Sequence, residues 1–237
     1  MVFKKEKEVI VAEKIEENRY HIASVVGMER ADLVYFLAKL LEQYHDNMGY
    51  RSVLLIDNSY SKDLFAIFNQ HDLSQDYYKV NRVTVQQDLD YSEEYFDKFT
   101  YVIFYHGFNA DPEILKKSDL VVLQSDYMPA NYNQLKHVLD GYDGDVQVVF
   151  RNWLSKKIKE SFIEKEIGLD PSRIEMSSVV KANMSDDLAY FYASHNGNQK
   201  ISSANLSDLF AETLRFLTEK LTGADEKTIQ KLFKKAK

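Results

Sequence analysis

YHIASVVGMERADL, residues 20–33, is the stretch on which the fold turns. Residues 20–26 form a β-rich run and Gly27 ends it. Apolar side chains then begin to recur at helical spacing: Leu33, Leu37, Leu40, Leu41 and Tyr44 mark one helix face through residue 47, and Gly49 is a suitable stop. The chain thus passes from a strand through a short loop into a long helix. SVLLID, residues 52–57, comes next, and so continuous an apolar run suits a strand buried on both faces.

The same alternation continues outward in both directions. Strands are expected at residues 9–13, 82–86, 100–106, 119–125, 146–150 and 173–180, and helices at 61–71, from Pro112, at 131–139, 156–167 and 206–221. On the helix at 206–221, Leu206, Leu209, Phe210, Leu217 and Leu221 share one side. Strands and helices in alternation imply an α/β fold, doubly wound, with a mostly parallel sheet covered by helices on both faces. A ligand would then sit at the carboxyl ends of the strands, in the loops after Val26, Asp57, His106, Ser125 and Phe150. With no repeat and no linker in view, residues 1–223 read as one domain and 224–237 as a tail.

Composition narrows the function classes. The 237 residues are 45% hydrophobic, enough for a sizeable core. The balance of 30 basic against 37 acidic residues gives a net charge of −7, which argues against nucleic acid as the main partner. The absence of cysteine removes disulfides, Cys-zinc sites and thiol catalysis, and fits a cytoplasmic protein. The charged N-terminus MVFKKEKEVIVAEK lacks the apolar region of a signal peptide, and no apolar run is long enough to span a membrane.

The order of elements resembles the ParA/MinD-like, deviant-Walker division of P-loop ATPases. The elements that carry the likeness are the strand–loop–helix at 20–47, LLID at 54–57, YVIFYH at 101–106, SDLVVLQSD at 118–126 and VVFRN at 148–152. The resemblance spans residues 20–221 and implies a P-loop NTPase-like three-layer sandwich. It also implies where a nucleotide site would lie and which parts of it have changed. A phosphate-binding loop needs glycines, a lysine and a Ser or Thr. Here the loop reads VVGMERADL: Gly27 remains, and Glu29, Arg30, Ala31 and Asp32 stand where the lysine and hydroxyl are sought. Carboxylates at a helix N-terminus suit the helix dipole but repel a triphosphate. Asp57 matches the first aspartate of the family's strand-end motif, while Ser59 replaces the second. His106 ends the strand that should finish in an aspartate. Asn152 matches an asparagine that reads adenine in the family; its simpler role is to cap a turn. The expected degenerate site is therefore Gly27, Glu29, Arg30, Asp57, Ser59 and Asn152, with no catalytic residue, no metal and at most weak ATP binding.

Other chemistry is sparse. The six histidines lack metal-ligand spacing. His106 with Asp111 offers an acid/base pair, or simply a satisfied loop histidine. Tyr77, Tyr78, Tyr91, Tyr95, Tyr101 and Tyr105 read either as a recognition surface or as core. Asp186 and Asp187 read as a helix start. In the tail, Ile229, Leu232, Phe233 and Ala236 form an apolar stripe beside Lys227, Lys231, Lys234, Lys235 and Lys237. It resembles the membrane-targeting helix of MinD-type proteins, so Ile229, Leu232, Phe233, Lys231, Lys234 and Lys235 are expected to dock on an anionic membrane or an acidic partner, or else to pack on the domain.

The resulting expectation is a cytoplasmic pseudo-ATPase, not an enzyme. It would position or scaffold other proteins in a pilus, secretion, conjugation or polarity assembly, pair as a homodimer, and touch the inner face of the membrane through its tail. The alternatives are a deviant ATPase using Arg30 and Asp57, or an unrelated doubly wound domain.

Overall fold

The computed structural model describes residues 20–46, 52–64, 77–87, 93–154, 157–195 and 205–234. Among these residues eight strands form one sheet: β1 (His21–Gly27), β2 (Ser52–Asp57), β3 (Tyr77–Val80), β4 (Val83–Gln87), β5 (Phe99–Gly107), β6 (Leu120–Ser125), β7 (Val146–Trp153) and β8 (Ile174–Lys181). Their spatial order is β3-β4-β2-β5-β1-β6-β7-β8, parallel throughout except for β3, which pairs antiparallel with β4. The helices are α1 (Asp32–Asp46), α2 (Glu93–Phe96), α3 (Pro112–Lys117), α4 (Pro129–Leu135), α5 (Glu160–Ile167), α6 (Met184–His195), α7 (Asp208–Thr222) and α8 (Glu226–Lys234).

The doubly wound architecture follows from strands that alternate between two cores. Ala23 and Val25 of β1, Val53 and Leu55 of β2, and Tyr101, Ile103 and Tyr105 of β5 point to one face, beneath α1, α7 and α8. Ile22, Leu54, Ile56, Val102 and Phe104 point to the other, against α2. Under β6 and β7 that second face continues with Leu115, Leu135 and Ile163 of α3, α4 and α5. Helix α1 is buried around its whole circumference from Asp32 to Gln43, because α7 and α8 cover the side that the sheet leaves open.

Three expectations change here. The antiparallel hairpin β3–β4 is new; its turn at Asn81 is left-handed, with φ 55°. The tyrosines do not form one surface. Tyr101 and Tyr105 are core, Tyr78 and Tyr95 are half-buried, Tyr77 is exposed, and Tyr91 lies outside the described residues. The tail is not a free docking helix either. Ile229, Leu232 and Phe233 of α8 are buried in the core shared with α1 and α7, because that stripe covers apolar surface the sheet cannot reach. Lys231 is exposed; Lys235 and the Lys234 side chain lie outside the described residues. So do the strand expected at 9–13 and most of the helix expected at 61–71.

Candidate functional site

The loops at the carboxyl ends of β1, β2, β5 and β7 meet above the sheet, where a doubly wound fold places its ligands. Gly27 ends β1 with φ 101°, and a Cβ there would run into the Gln124 carbonyl of β6. The glycine thus serves close strand packing. Gln124 then ties down the loop: its main-chain oxygen accepts from Met28 N–H at 2.8 Å, and its side-chain amide donates to the carbonyls of Met28 (2.8 Å) and Arg30 (3.0 Å). Arg30 N–H donates to the Met28 carbonyl at 2.9 Å, and Leu33 N–H to Asp32 Oδ1 at 2.8 Å. These three amides are spent inside the loop.

Glu29 fills the crevice next to it. Its carboxylate accepts from the main-chain N–H of Tyr60 at 2.9 Å and of Ser61 at 3.0 Å, in the loop after β2. Gly107, at the end of β5 with φ 57°, makes room for it; any side chain there would collide with the Glu29 carboxyl group. Asp57 turns to its own loop, accepting from Ser59 Oγ at 2.5 Å and Ser59 N–H at 3.1 Å. Lys62 Nζ donates to the Asp57 carbonyl at 2.8 Å.

Arg30 builds the other half. It donates from Nε to Asp32 Oδ2 at 2.8 Å, from Nη1 to Asn152 Oδ1 at 2.9 Å, and from Nη2 to Asp187 on α6. Burial works against its charge, but Asp32 and Asp187 outweigh it and hold the guanidinium above its ordinary pKa. Asn152 owes its reach to a bulge: between Phe150 and Trp153, β7 has one residue more than its partner β8, and Asn152 sits at φ 54°. Arg151, beside it, is fully buried. It donates to Asp32 and lies over the Phe210 ring at 3.8 Å. Burial and the neighbouring Arg30 push its pKa down, against the pull of Asp32, Asp186 and Asp187.

Sequence reading gave Gly27, Glu29, Arg30, Asp57, Ser59 and Asn152 as one set. The structure divides it, with Glu29 bonded to the loop after β2, where Ser59 also holds Asp57, and Arg30 bonded to Asn152, both above the same strand ends. It also adds residues that the reading did not include: Arg151, Asp187 and Gln124. Arg151 did leave a signal, as an isolated charge inside the apolar strand VQVVFRNW. The motif positions also shift: counted from Gly27, the lysine of a GxxxxGK[ST] loop falls on Leu33 and the hydroxyl on Val34, beyond the expected span of Glu29 to Asp32. Both are fully buried on α1.

His106 is buried too. Ser118 Oγ donates to the Ile114 carbonyl (2.9 Å), Ser24 Oγ lies 2.8 Å from Ser118 Oγ, and His106 Nε2 lies 3.2 Å from Ser24 Oγ. The chain of hydroxyls makes Nε2 the donor. Asp111 caps α3 instead of bonding the imidazole. Burial pushes the His106 pKa down to about 4, with Asp111 opposing. The unfolded chain, titrating near pH 6.5, therefore holds the extra proton between the two values. Stability attributable to this residue is full above about pH 6.5 and falls toward pH 4, by about 3 kcal/mol in all. Urea titrations at pH 7.0 and 4.5 should show a smaller pH-dependent loss for His106→Phe than for the parent; equal losses would refute the assignment.

No family model and no curated protein matches the chain in sequence. Solved structures do match its shape. The ParA family ATPase of Chlorobium tepidum superposes with a TM-score of 0.52 over 92% of this chain and 99% of its own, at 12% identity. A chain of the MinC:MinD cell division complex of Aquifex aeolicus gives 0.56 over 86% and 97%, at 11% identity. The cell division ATPase MinD of Pyrococcus furiosus gives 0.52 over 90% and 100%, at 14% identity. The fold is ParA/MinD-like. On that ParA/MinD-like scaffold, the loops described above occupy the edge of the sheet at which P-loop proteins hold phosphate.

Proposed function

We propose that this chain is a non-hydrolysing protein on the ParA/MinD-like fold that acts by holding other proteins in place. The Glu29 carboxylate is the observation on which the reading rests: an internal anion takes the N–H groups of Tyr60 and Ser61 at the strand ends. A triphosphate in that crevice would face Glu29 and Asp57 without a lysine from the loop. Leu33 and Val34, the positions for lysine and hydroxyl, are buried. A magnesium nucleotide does not fit this donor set. Phosphoryl transfer depends on positioned cations and backbone donors, and here the donors are already engaged.

A role through protein contacts is supported by α6. Met184, Leu188, Phe191 and Tyr192 recur at i, i+4, i+7 and i+8 and are all exposed, while Tyr190 and Ala189 pack inward. An apolar face of that kind is a common mark of an interaction site, and pairing of two copies is its simplest use.

The test is one set of samples with and without excess Mg-ATP. We expect no magnesium-dependent phosphate release, no rise in melting temperature, and a dimer mass by light scattering in both conditions. A ligand at about 100 times its Kd would add about 2.7 kcal/mol, a rise of roughly 5–10 °C. Such a rise would overturn the statement that a magnesium nucleotide does not fit, and phosphate release lost in Arg30→Ala would overturn the non-hydrolysing reading. A monomer throughout would remove the pairing.

A further inference from the structure

Glu29 and Asp63 are held over the carboxyl ends of β1, β2 and β5 by one loop. The N–H groups of Tyr60 and Ser61 fix Glu29, while Ser61 Oγ (3.1 Å) and the Leu64 N–H (3.0 Å) donate to Asp63 Oδ1. Asp57 stands at the same strand end, joined to the loop through Ser59, whose Oγ lies 3.4 Å from Ser61 Oγ. Three negative groups thus meet at a loop whose own cation, Lys62, is drawn to the Asp57 carbonyl. Among the described residues neither Glu29 nor Asp63 is paired with a cation. Burial raises the Asp63 pKa, and the charges of Asp57 and Glu29 raise it further, against the hydrogen bonds from Ser61 and Leu64.

Two buried hydroxyls face this group. Tyr105 pairs in register with Asp57, so its side chain leaves β5 on the same face of the sheet. It is 1% exposed, and its Oη has no hydrogen-bond partner among the described residues. Tyr190 of α6, packed edge-on against Tyr35 at 5.6 Å, likewise has a buried Oη without a partner. Burial raises the pKa of both phenols, and of the charges around them Asp63 raises each the most. Asp63 therefore faces both hydroxyls without bonding either. Buried hydroxyls rarely go unpaired, and these two stand with two half-buried carboxylates at the edge of the sheet where this fold binds ligands.

A group that satisfies all four must be positive and must donate several hydrogen bonds. A metal ion fits poorly, because among the described residues no three carboxylate or imidazole groups converge to hold one. An ammonium or guanidinium fits: its N–H groups donate to Glu29 and Asp63 while the phenol oxygens accept. We propose that this crevice binds a primary ammonium or guanidinium group, carried by a free polyamine or by a Lys or Arg side chain of another protein. The proposal takes from the non-hydrolysing reading only that no nucleotide fills the crevice. Its test contains none, so each can fail without the other.

The probes are spermidine, Nα-acetyl-lysine amide and Nα-acetyl-arginine amide, each titrated into the ¹⁵N-labelled full chain. Amides within residues 57–64 and that of Tyr105 should shift saturably. Tetramethylammonium, a cation without N–H groups, should bind about tenfold more weakly than the lysine amide. Asp63→Asn should weaken amine binding about tenfold. Tyr105→Phe should weaken it roughly three- to tenfold without lowering the melting temperature, because the hydroxyl has no partner to lose. Spermidine binding much tighter than either amide assigns a free polyamine; otherwise the group comes from a side chain of another protein. The proposal fails if no probe saturates, if the shifts gather away from the β2 loop, or if tetramethylammonium or Mg²⁺ binds as tightly as the amines. It also fails if Tyr105→Phe lowers the melting temperature and leaves amine binding unchanged, since a buried water would then hold the hydroxyl.

Discussion

Asp32→Ala is expected to destabilise the protein by about 3–5 kcal/mol, lowering the melting temperature by roughly 6–20 °C. Asp32 is fully buried and accepts from Arg30, from Arg151 and from the Leu33 amide. Without it, Arg151 keeps a buried guanidinium whose Nε and Nη1 already have no hydrogen-bond partner among the described residues. Water cannot replace the lost carboxylate at a site this deep. The cost therefore comes from the charge left behind, and removing that charge should restore much of it: Asp32→Ala with Arg151→Met is expected to be more stable than Asp32→Ala alone. Urea denaturation of the three proteins decides the matter. A loss under 1 kcal/mol for Asp32→Ala, or no recovery in the double variant, would show that the cluster is not the buried ion network described here.

The second large effect concerns α8. Phe233→Glu should cost at least about 3–5 kcal/mol, the usual loss for truncating a buried Phe, increased by the desolvation of a carboxylate. Phe233 is 4% exposed, packs in the core with α1 and α7, and lies 5.9 Å from the Arg215 guanidinium. A chain ending at Gly223 should be similarly damaged, because it uncovers α1 and α7 together. A helix that merely docks on an outside surface would leave the melting temperature of both variants unchanged.

The difference between the two readings of α8 shows what the sequence could and could not convey. The period-3.6 stripe of Ile229, Leu232 and Phe233 was plain, but a stripe does not say what covers it; a membrane, a partner and the chain's own α1 all satisfy the same pattern. The parallel strands were legible because doubly buried runs such as SVLLID are nearly continuous. Strand β3 was not, since YYKV at the edge of the sheet alternates over only four residues. The start of α6 showed in Asp186 and Asp187, yet its body did not, since apolar side chains occupy both its buried and its exposed faces and no clear period results. The site was half legible. Gly27, Glu29 and Arg30 are local, whereas Arg30 meets Asn152 and Asp187 across most of the chain, and no local pattern encodes such pairings.

The position of β1 in the sheet has a consequence in time. This strand lies at the centre, yet its two neighbours, β5 and β6, follow on the order of 80–100 residues later. At about 5–20 residues per second, a nascent chain waits several seconds between the appearance of β1 and that of its partners. Helix α1 waits longer still, because Phe210, Leu214, Ile229 and Phe233, which cover it, follow on the order of 170–200 residues later. Its apolar circumference stays uncovered for that interval, so holdase chaperones should meet this protein at α1.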